Sequence, residues 1–129
     1  MRIGLYPMVA DILHTGHILA IEEARNNCDY LIVALNCKPD CKHPIQSVYE
    51  RFMQLRAVKW IDEIIVYQGK TDLELIASTL NYNIRFIGED YIDKDWDGKQ
   101  IELKLNKKFH YLKRKHQLSS TELKRRIIK

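Results

Sequence analysis

The stretch RIGLYPMVADILHTGHILAIEEARNNCDYLIVAL, residues 2–35, decides the fold of this chain. It opens with a predicted strand at residues 2–6, followed by a loop that ends at His14. Residues 15–27 repeat apolar side chains at helical spacing, which predicts a helix with one face on a core. Residues 30–35 form a continuous apolar run, typical of a strand buried on both faces of a parallel sheet. The stretch therefore predicts a strand–loop–helix–strand unit.

Strands and helices alternate through the rest of the chain. Such alternation is typical of an open, mainly parallel sheet with helices on both faces. We therefore expect an α/β fold of the Rossmann-like doubly wound class, with a five-stranded sheet in a single domain over residues 1–129. The further predicted strands are residues 63–67, 84–87 and 109–112, and the further predicted helices begin at Ser47 or span residues 71–80, 101–107 and 119–128.

Local signals mark where some of these elements begin. Ser47 is followed three residues later by Glu50, and Ser119 by Glu122, so both serines are predicted to start a helix through a capping box. Residues 91–100 are rich in Asp and Lys, and we expect a polar loop there. The basic residues 124–126 near the C-terminus are interpreted as a solvated helix face.

Composition and cysteine usage set the class of protein. The hydrophobic fraction is 46%, as in globular domains. No apolar run approaches the roughly 20 residues of a membrane helix, and the first residues do not resemble a signal peptide. We therefore expect a cytoplasmic protein without a membrane partner. Three cysteines, an odd number, predict free thiols, and neither Cys37 with Cys41 nor His14 with His17 has the further ligands of a zinc site.

Charge is distributed unevenly along the chain. Residues 1–103 carry 11 Lys/Arg against 16 Asp/Glu, whereas residues 104–129 carry 10 Lys/Arg against Glu122 alone. A basic end of this kind attracts an anionic partner. Nucleotide phosphates, nucleic acid and the acidic part of the same or a neighbouring chain are all candidates. The basic end contains few aromatic residues, Phe109 and Tyr111, and they form no stacking array, which argues against a nucleic-acid-binding module.

The motif HTGH, residues 14–17, stands between the first strand and the first helix. A helix N-terminus has unpaired N–H groups and partial positive charge, and is a natural anion site. Gly16 lacks a Cβ where a phosphate must approach the backbone. His14 and His17 could donate hydrogen bonds to oxygens that gain charge during phosphate transfer. Ligands bind such sheets at the carboxyl ends of strands, where His14 and Asp90 are expected.

Five segments, in order and at similar spacing, resemble the HIGH-type (HxGH) nucleotidyltransferase superfamily. Within it the chain most resembles the glycerol-3-phosphate cytidylyltransferases, and the similarity covers nearly the whole chain. The segments are DILHTGH (residues 11–17), DYLIV (29–33), WIDEII (60–65), GEDY (88–91) and SSTELK (119–124).

The resemblance implies transfer of CMP from CTP to a small phosphorylated alcohol, with release of pyrophosphate and with Mg²⁺ bridging the phosphates. It also implies a homodimer with contacts at residues 60–65. Asp90 would face the base or ribose, and Ser120 and Thr121 would hold the β- and γ-phosphates. The implied catalytic residues are His14, His17, Lys42 and Arg114, and the implied nucleotide-binding residues are Val9, Ala10, Asp11, Gly16, Arg51, Gly88, Asp90, Ser119, Ser120 and Thr121.

Two segments depart from the family pattern. Residues 8–11 read MVAD where the family has GTFD, so Val9 lacks a hydroxyl that could touch phosphate. The loop at residues 91–100 is longer than the family pattern and contains WDGK, which resembles the family's WEGK. The acceptor alcohol therefore stays open. An adenylyltransferase that uses ATP, a catalytically silent nucleotide-binding protein and a nucleic-acid-binding module remain as alternatives.

Overall fold

The computed structural model describes residues 1–40, 42–113 and 120–128, without the side chain of Ser120. It confirms the predicted alternation of strands and helices. The strands are β1 (Ile3–Met8), β2 (Tyr30–Asn36), β3 (Glu63–Tyr67), β4 (Ile84–Gly88) and β5 (Lys108–Leu112). The helices are α1 (Thr15–Asn26), α2 (Val48–Arg56), α3 (Gly69–Thr79), α4 (Lys99–Lys104) and α5 (Ser120–Ile128), and a 3₁₀ turn covers Glu89–Tyr91.

The strands form one parallel sheet in the order β3-β2-β1-β4-β5. This confirms the predicted Rossmann-like α/β class. β2 is buried at five consecutive positions, residues 31–35, as its apolar run predicts. The direction of strand succession reverses between β1 and β4, which makes their carboxyl ends the topological switch point of the sheet.

The first strand runs on to Met8 rather than ending before Pro7 as predicted. Proline has no backbone N–H, so a strand tolerates it where no neighbour needs that donor. Alternate residues of β1 point to the same neighbouring strand. The Ile3 carbonyl accepts from Asn83 on the β4 side, and Pro7 therefore points to that side as well. β1 pairs with β4 only as far as Leu5. The N–H that Pro7 lacks would therefore lie where the two strands have already separated.

Helix boundaries follow local backbone signals. At α2, Ser47 Oγ accepts from the Glu50 N–H at 3.1 Å, and the Ser47 N–H donates to Glu50 Oε1 at 2.9 Å, which confirms the predicted capping box. The predicted box at Ser119 lies outside the described residues. α4 begins two residues and ends three residues earlier than predicted, after Gly98 at φ +89°. A Cβ at Gly98 would lie 2.8 Å from Glu102 Oε1, so this position needs glycine.

The sheet carries a hydrophobic core on each face. On one, named here the α1 face, Ile21 of α1 and Leu55 of α2 pack with Phe86 of β4. On the other, named the α3 face, the core contains Leu73 of α3. Side chains alternate along a strand, so Phe86 and Arg85 of β4 point to opposite faces. The charged side chain of Arg85 therefore lies on the α3 face, and this residue is only 5% exposed.

Two expectations from composition can be compared with the structure. Within the described ranges, no helix has both the length and the apolar character needed to cross a bilayer. Cys28, which is buried, and Cys37, which is half-buried, are free thiols. Cys41 lies outside the described residues.

Candidate active site

A cavity of about 770 Å³ opens where the carboxyl ends of β1 and β4 part. This is the switch point, where sheets of this class bind their ligands. Its wall is built from the ends of strands, from the loops that follow them, and from α5. The structure brings these predicted site residues to the wall: Val9, Ala10, Asp11, His17, Lys42, Gly88 and Thr121.

Both histidines of the HTGH turn are oriented by its backbone. His14 is the N-cap residue of α1, and its Nδ1 accepts a hydrogen bond from the Gly16 N–H at 3.0 Å. The Nδ1 of His17 accepts from the His14 N–H at 3.1 Å. A neutral imidazole that accepts at Nδ1 carries its proton on Nε2. The backbone therefore fixes each neutral ring as an Nε2–H donor, with the ring centroids 4.0 Å apart.

The two histidines differ in where they lie. His17 is part of the cavity wall, whereas the wall does not include His14 or Gly16. The Gly16 N–H, expected near phosphate, is used for the His14 cap. In this structure His14 and Gly16 thus hold the turn that presents His17.

The loop before His14 has an unusual backbone. Ala10 and Ile12 have φ values of 57° and 50°, in the left-handed region that costs energy for residues other than glycine, and most for β-branched ones. The conformation is held by Asp11, which lies between them, and by Gln46. Gln46 Oε1 accepts from the Ile12 N–H at 2.7 Å, and Asp11 Oδ1 accepts from the Gln46 N–H at 3.0 Å. This reciprocal pair fixes the path of the loop.

Asp11 also connects the loop to the last helix. Its Oδ2 accepts from the Ile45 N–H at 3.0 Å and from Lys124 Nζ at 2.8 Å. Burial alone raises the pKa of Asp11, but the hydrogen bonds from Lys124, Gln46 and Ile45 outweigh it, and the pKa falls below 3.8. Asp11 was predicted to bind nucleotide. The structure places it in the cavity wall, with its carboxylate holding the loop and α5.

Replacing Asp11 by asparagine is expected to lower the free energy of unfolding by about 1–3 kcal/mol near neutral pH, the worth of hydrogen bonds to a charged group. Because the folded-state pKa is lower than the unfolded-state pKa, this contribution is complete only well above the unfolded-state pKa and is lost as the pH falls through the folded-state pKa. Urea unfolding at a series of pH values measures it. The difference in the free energy of unfolding between wild type and variant should stay constant down to about pH 5 and narrow below it. A gap that does not narrow in acid would contradict the assignment.

Arg51 was predicted to bind the nucleotide, and the structure shows what its guanidinium contacts. It is 2% exposed, and the cavity wall does not include it. Its Nη1 donates to the carbonyls of Val9 at 3.0 Å and Asn36 at 2.7 Å. Its Nε and Nη2 donate to the carbonyls of Gln46 and Cys37, both at 3.2 Å. Arg51 thus joins the loops after β1 and β2 to the start of α2, and it acts as a positioning residue.

The remaining predicted residues differ in two respects: whether the structure describes them, and whether they line the cavity. Lys42 is exposed in the wall. Asp90 is exposed in the 3₁₀ turn after β4, and the wall does not include it. Arg114 and Ser119 lie outside the described residues, as does the side chain of Ser120. Thr121, in the first turn of α5, is the member of the predicted 119–121 group that the structure places in the wall.

Sequence reasoning missed Lys124. The basic residues 124–126 were interpreted as a solvated face, which holds for Arg125 and Arg126, both exposed and paired with Glu122. Lys124 instead enters the cavity wall. A signal was available, because Thr121 and Lys124 are three residues apart and share one face of a helix.

A second missed group lies on the α3 face. Arg85 Nη1 pairs with the carboxylate of Glu102, which is fully buried, and donates to the Asp97 carbonyl at 3.2 Å. Arg85 and Trp96 both belong to the cavity wall. The available signal was a lone arginine in the otherwise apolar strand IRFIG, residues 84–88.

Comparisons with known proteins show the family of this chain. The chain matches the family described as cytidylyltransferase-like over residues 5–126. Ethanolamine-phosphate cytidylyltransferase from Dictyostelium discoideum is 32% identical over 124 residues, which are 92% of this chain and 34% of that protein. Bifunctional protein HldE from Hyphomonas neptunium is 36% identical over 107 residues, which are 78% of this chain and 22% of that protein. The chain thus spans well under half the length of either relative.

Solved structures agree on the fold. A lipopolysaccharide core biosynthesis protein from Thermoplasma volcanium has a TM-score of 0.67 at 23% identity, covering 88% of this chain and 95% of that one. Pantothenate synthetase from Thermus thermophilus has a TM-score of 0.62 at 13% identity, covering 88% of this chain and 56% of that one. At such identities the likeness concerns the fold alone. With the family match over residues 5–126, the conclusion is that this chain belongs to the cytidylyltransferase-like family of the HIGH-type nucleotidyltransferase superfamily.

Proposed function

We propose that this chain transfers CMP from CTP to a small phosphorylated alcohol similar to glycerol 3-phosphate, with release of pyrophosphate. The observation that supports this most is His17, whose Nδ1 is held by the backbone so that its Nε2–H is the donor at the cavity wall. Preorganised donors of this kind stabilise charge that develops in a transition state. Similarity to an ethanolamine-phosphate cytidylyltransferase supports CTP as the donor and a phosphorylated small molecule as the acceptor.

In the proposed reaction, an oxygen of the acceptor phosphate attacks the α-phosphorus of CTP. A new P–O bond forms as the bond to the leaving pyrophosphate breaks, and no side chain acts as nucleophile. The protein contributes positioning and charge. Lys42 supplies positive charge at the wall, where Lys124 is paired with Asp11, and Thr121 supplies a hydroxyl in the first turn of α5.

Mg²⁺ is part of the proposal as a cation carried by the triphosphate. The described ranges contain no group of three or more His, Cys, Asp or Glu side chains placed to hold a metal. Mg²⁺ does not require such a cage, because it is commonly bound by one or two carboxylates, water and substrate phosphates. The exposed wall residues Asp95 and Asp97 fit that requirement. The bound cation would neutralise phosphate charge.

Pyrophosphate release is the direct test of this function. Each of the four common ribonucleoside triphosphates is offered with Mg²⁺ and a panel of phosphorylated alcohols. We expect release with CTP plus a polyol phosphate and none with CTP alone. Release with ATP in place of CTP would move the assignment to an adenylyltransferase. Tight triphosphate binding without turnover would indicate a silent nucleotide-binding protein. Salt-sensitive RNA binding without nucleotide preference would indicate the nucleic-acid-binding module.

The homodimer stays a prediction. β3 is an edge strand of the sheet, with Val66 50% exposed. Within the predicted contact region, residues 60–65, Trp60, Ile61 and Ile64 pack partly against the core of the α1 face. A dimer would therefore use the edge of β3 and the exposed parts of those side chains.

A further inference from the structure

A second cavity, of about 710 Å³, lies at the amino ends of the strands, opposite the candidate active site. β1 runs from one cavity to the other, and its six residues span roughly 20 Å at about 3.3 Å per residue. The two cavities are therefore separate sites. We name the second one the amino-end cavity, and its wall includes Arg2, Asp29, Tyr82, Asn83, Lys107 and Lys108.

Basic side chains outnumber acidic ones in the wall of the amino-end cavity. Arg2 and Lys108 are exposed, and Lys107 is half-buried. Within the described residues, no carboxylate lies within ion-pair distance of these three side chains. The carboxylate of Asp29 is engaged by the backbone, because its Oδ2 accepts from the Arg2 N–H at 2.7 Å. The wall therefore carries positive charge that the described part of the chain does not neutralise.

Lys107 is held in place at this wall. Its Nζ donates to the Tyr82 carbonyl at 2.7 Å and lies 4.1 Å from the centroid of the buried Tyr82 ring. An ammonium group has three N–H donors, so the bond to Tyr82 leaves two for a ligand. Burial lowers the pKa of Lys107 below its usual value, although the Glu102 carboxylate opposes this. A bound anion would stabilise the charged form of Lys107.

Asn83 adds a neutral donor to the same wall. Its Oδ1 accepts from the Ile3 N–H at 2.8 Å, so its side-chain NH₂ is the group that can donate to a ligand. Its backbone is fixed as well. The Asn83 N–H donates to the Ile3 carbonyl at 2.8 Å, and the Asn83 carbonyl accepts from the Lys108 N–H at 3.0 Å. The donors are therefore positioned by the joined starts of β1, β4 and β5.

The structure places the basic end of the chain at two separate locations. Lys124 lies in the wall of the candidate active site. Lys107 and Lys108 belong to the same basic segment, residues 104–129, but they lie at the opposite end of the sheet. A triphosphate in the candidate active site therefore does not account for them. Their charge points to a second anionic partner.

Size and charge favour a small phosphorylated molecule as that partner. Sites for small molecules commonly have volumes of about 300–1,000 Å³, and the amino-end cavity lies in this range. A phosphomonoester carries a charge of roughly −1.5 to −2 near neutral pH and has three strong acceptor oxygens. The basic side chains and the Asn83 amide match this charge and these acceptors. Nucleic acid would instead need cations spread along its backbone, whereas here they meet in one cavity.

We propose that the amino-end cavity is a second ligand site, which binds the phosphomonoester group of a small molecule through Arg2, Asn83, Lys107 and Lys108. A free phosphorylated metabolite and the headgroup of a phosphomonoester lipid share this chemistry. The site is separate from the candidate active site, and it does not depend on the proposed transfer reaction.

Amide NMR of the intact, isotope-labelled chain tests the site. The chain is mixed with Mg²⁺ and the α,β-methylene analogue of CTP, which cannot be transferred, and is titrated with inorganic phosphate, ribose 5-phosphate or dimethyl phosphate. We expect saturable shifts at the amides of Arg2, Asn83, Lys107 and Lys108 with the first two ligands. Dimethyl phosphate, a diester with one charge, should bind at least about tenfold more weakly, as for the loss of one charge-assisted hydrogen bond.

The location of the shifts decides the outcome. Shifts confined to residues near the HTGH turn, an absence of saturable shifts, or equal affinity for dimethyl phosphate would overturn the proposal. Saturable shifts at the amino-end cavity without pyrophosphate release from any substrate pair would support the second site while refuting the transfer reaction.

Lys108→Gln and Lys104→Gln form a matched pair of variants. Both remove one positive charge from an exposed lysine, but Lys104, at the end of α4, lies outside the cavity wall. We expect Lys108→Gln to weaken the binding of inorganic phosphate about tenfold, and Lys104→Gln to weaken it less than about twofold. Equal weakening by both would show that only the general charge of this end of the molecule matters, which would refute a specific site.

Vesicles separate the two sources of the phosphomonoester. Co-sedimentation with vesicles that contain phosphatidic acid, lost in Lys108→Gln, would support the proposal with a lipid as the source. A response to ribose 5-phosphate without vesicle binding would support it with a free metabolite as the source. Binding to phosphatidylglycerol vesicles or to RNA, with no response to soluble phosphates, would contradict the proposal, because both present phosphodiesters.

Discussion

Replacing His17 by alanine is expected to lower the rate of nucleotide transfer by about 100-fold or more, as for the loss of one preorganised transition-state donor. The wall of the cavity includes His17, and the hydrogen bond from the His14 N–H to its Nδ1 leaves Nε2 as the protonated nitrogen. The donor exists in the free protein, so it need not be reorganised when charge develops on the phosphate oxygens. Pyrophosphate release at saturating CTP and acceptor measures the effect.

Two further variants separate the two nitrogens of His17. The Oδ1 of His17→Asn can still accept from the His14 N–H, but the Nε2–H is lost. His17→Gln places an amide N–H near the position of Nε2 but loses the bond that holds the ring. We expect the asparagine variant to unfold at the same urea concentration as wild type while remaining as slow as the alanine variant. The glutamine variant should recover part of the rate. Full activity in the asparagine variant would show that His17 only caps the helix.

Replacing Arg51 by methionine is expected to destabilise the fold by about 3 kcal/mol or more, because each buried polar group left unpaired costs about 1–3 kcal/mol. Arg51 donates to four backbone carbonyls, those of Val9, Asn36, Cys37 and Gln46. The methionine side chain fills a similar volume but has no donor. Val9 is part of the cavity wall, so transfer activity should fall as well. The midpoint and slope of urea unfolding measure the stability change.

Arg51→Lys serves as the matched control, since it keeps the positive charge. A lysine ammonium donates from one point and cannot reproduce the fork of a guanidinium. We expect it to restore only part of the lost stability. The earlier expectation of nucleotide binding predicts the opposite pattern: a methionine variant as stable as wild type that binds CTP weakly. That result would show that Arg51 binds the nucleotide.

Features that depend on neighbours in sequence were predictable. The capping box of Ser47 and Glu50 involves residues three apart, and the structure confirms it. The buried strand β2 follows from its continuous apolar run. The end of β1 was not predictable from Pro7. Whether the strand can continue through a residue without an N–H depends on where β4 stops pairing with it. The start of α4 depends likewise on the backbone turn at Gly98.

The roles of charged side chains were the least predictable part of the site. Lys124 meets Asp11 across 113 positions of sequence, and Arg51 meets Val9 across 42. A sequence shows that such residues are charged but not which partner each one finds. Only the structure shows that Arg51 is buried against backbone carbonyls and that Lys124 is part of the cavity wall.

The sequence by itself determined the order of strands and helices, the parallel α/β sheet with its topological switch point, and the HTGH turn at the N-terminus of α1. These depend on apolar periodicity and on hydrogen bonds within a few residues, which local sequence encodes. The tertiary structure alone decided that His17 lines the cavity, that Asp11 ties α5 to the loop before it, and that Arg85 carries its charge onto the α3 face. Those outcomes depend on contacts between distant segments, which exist only once the sheet has brought them together.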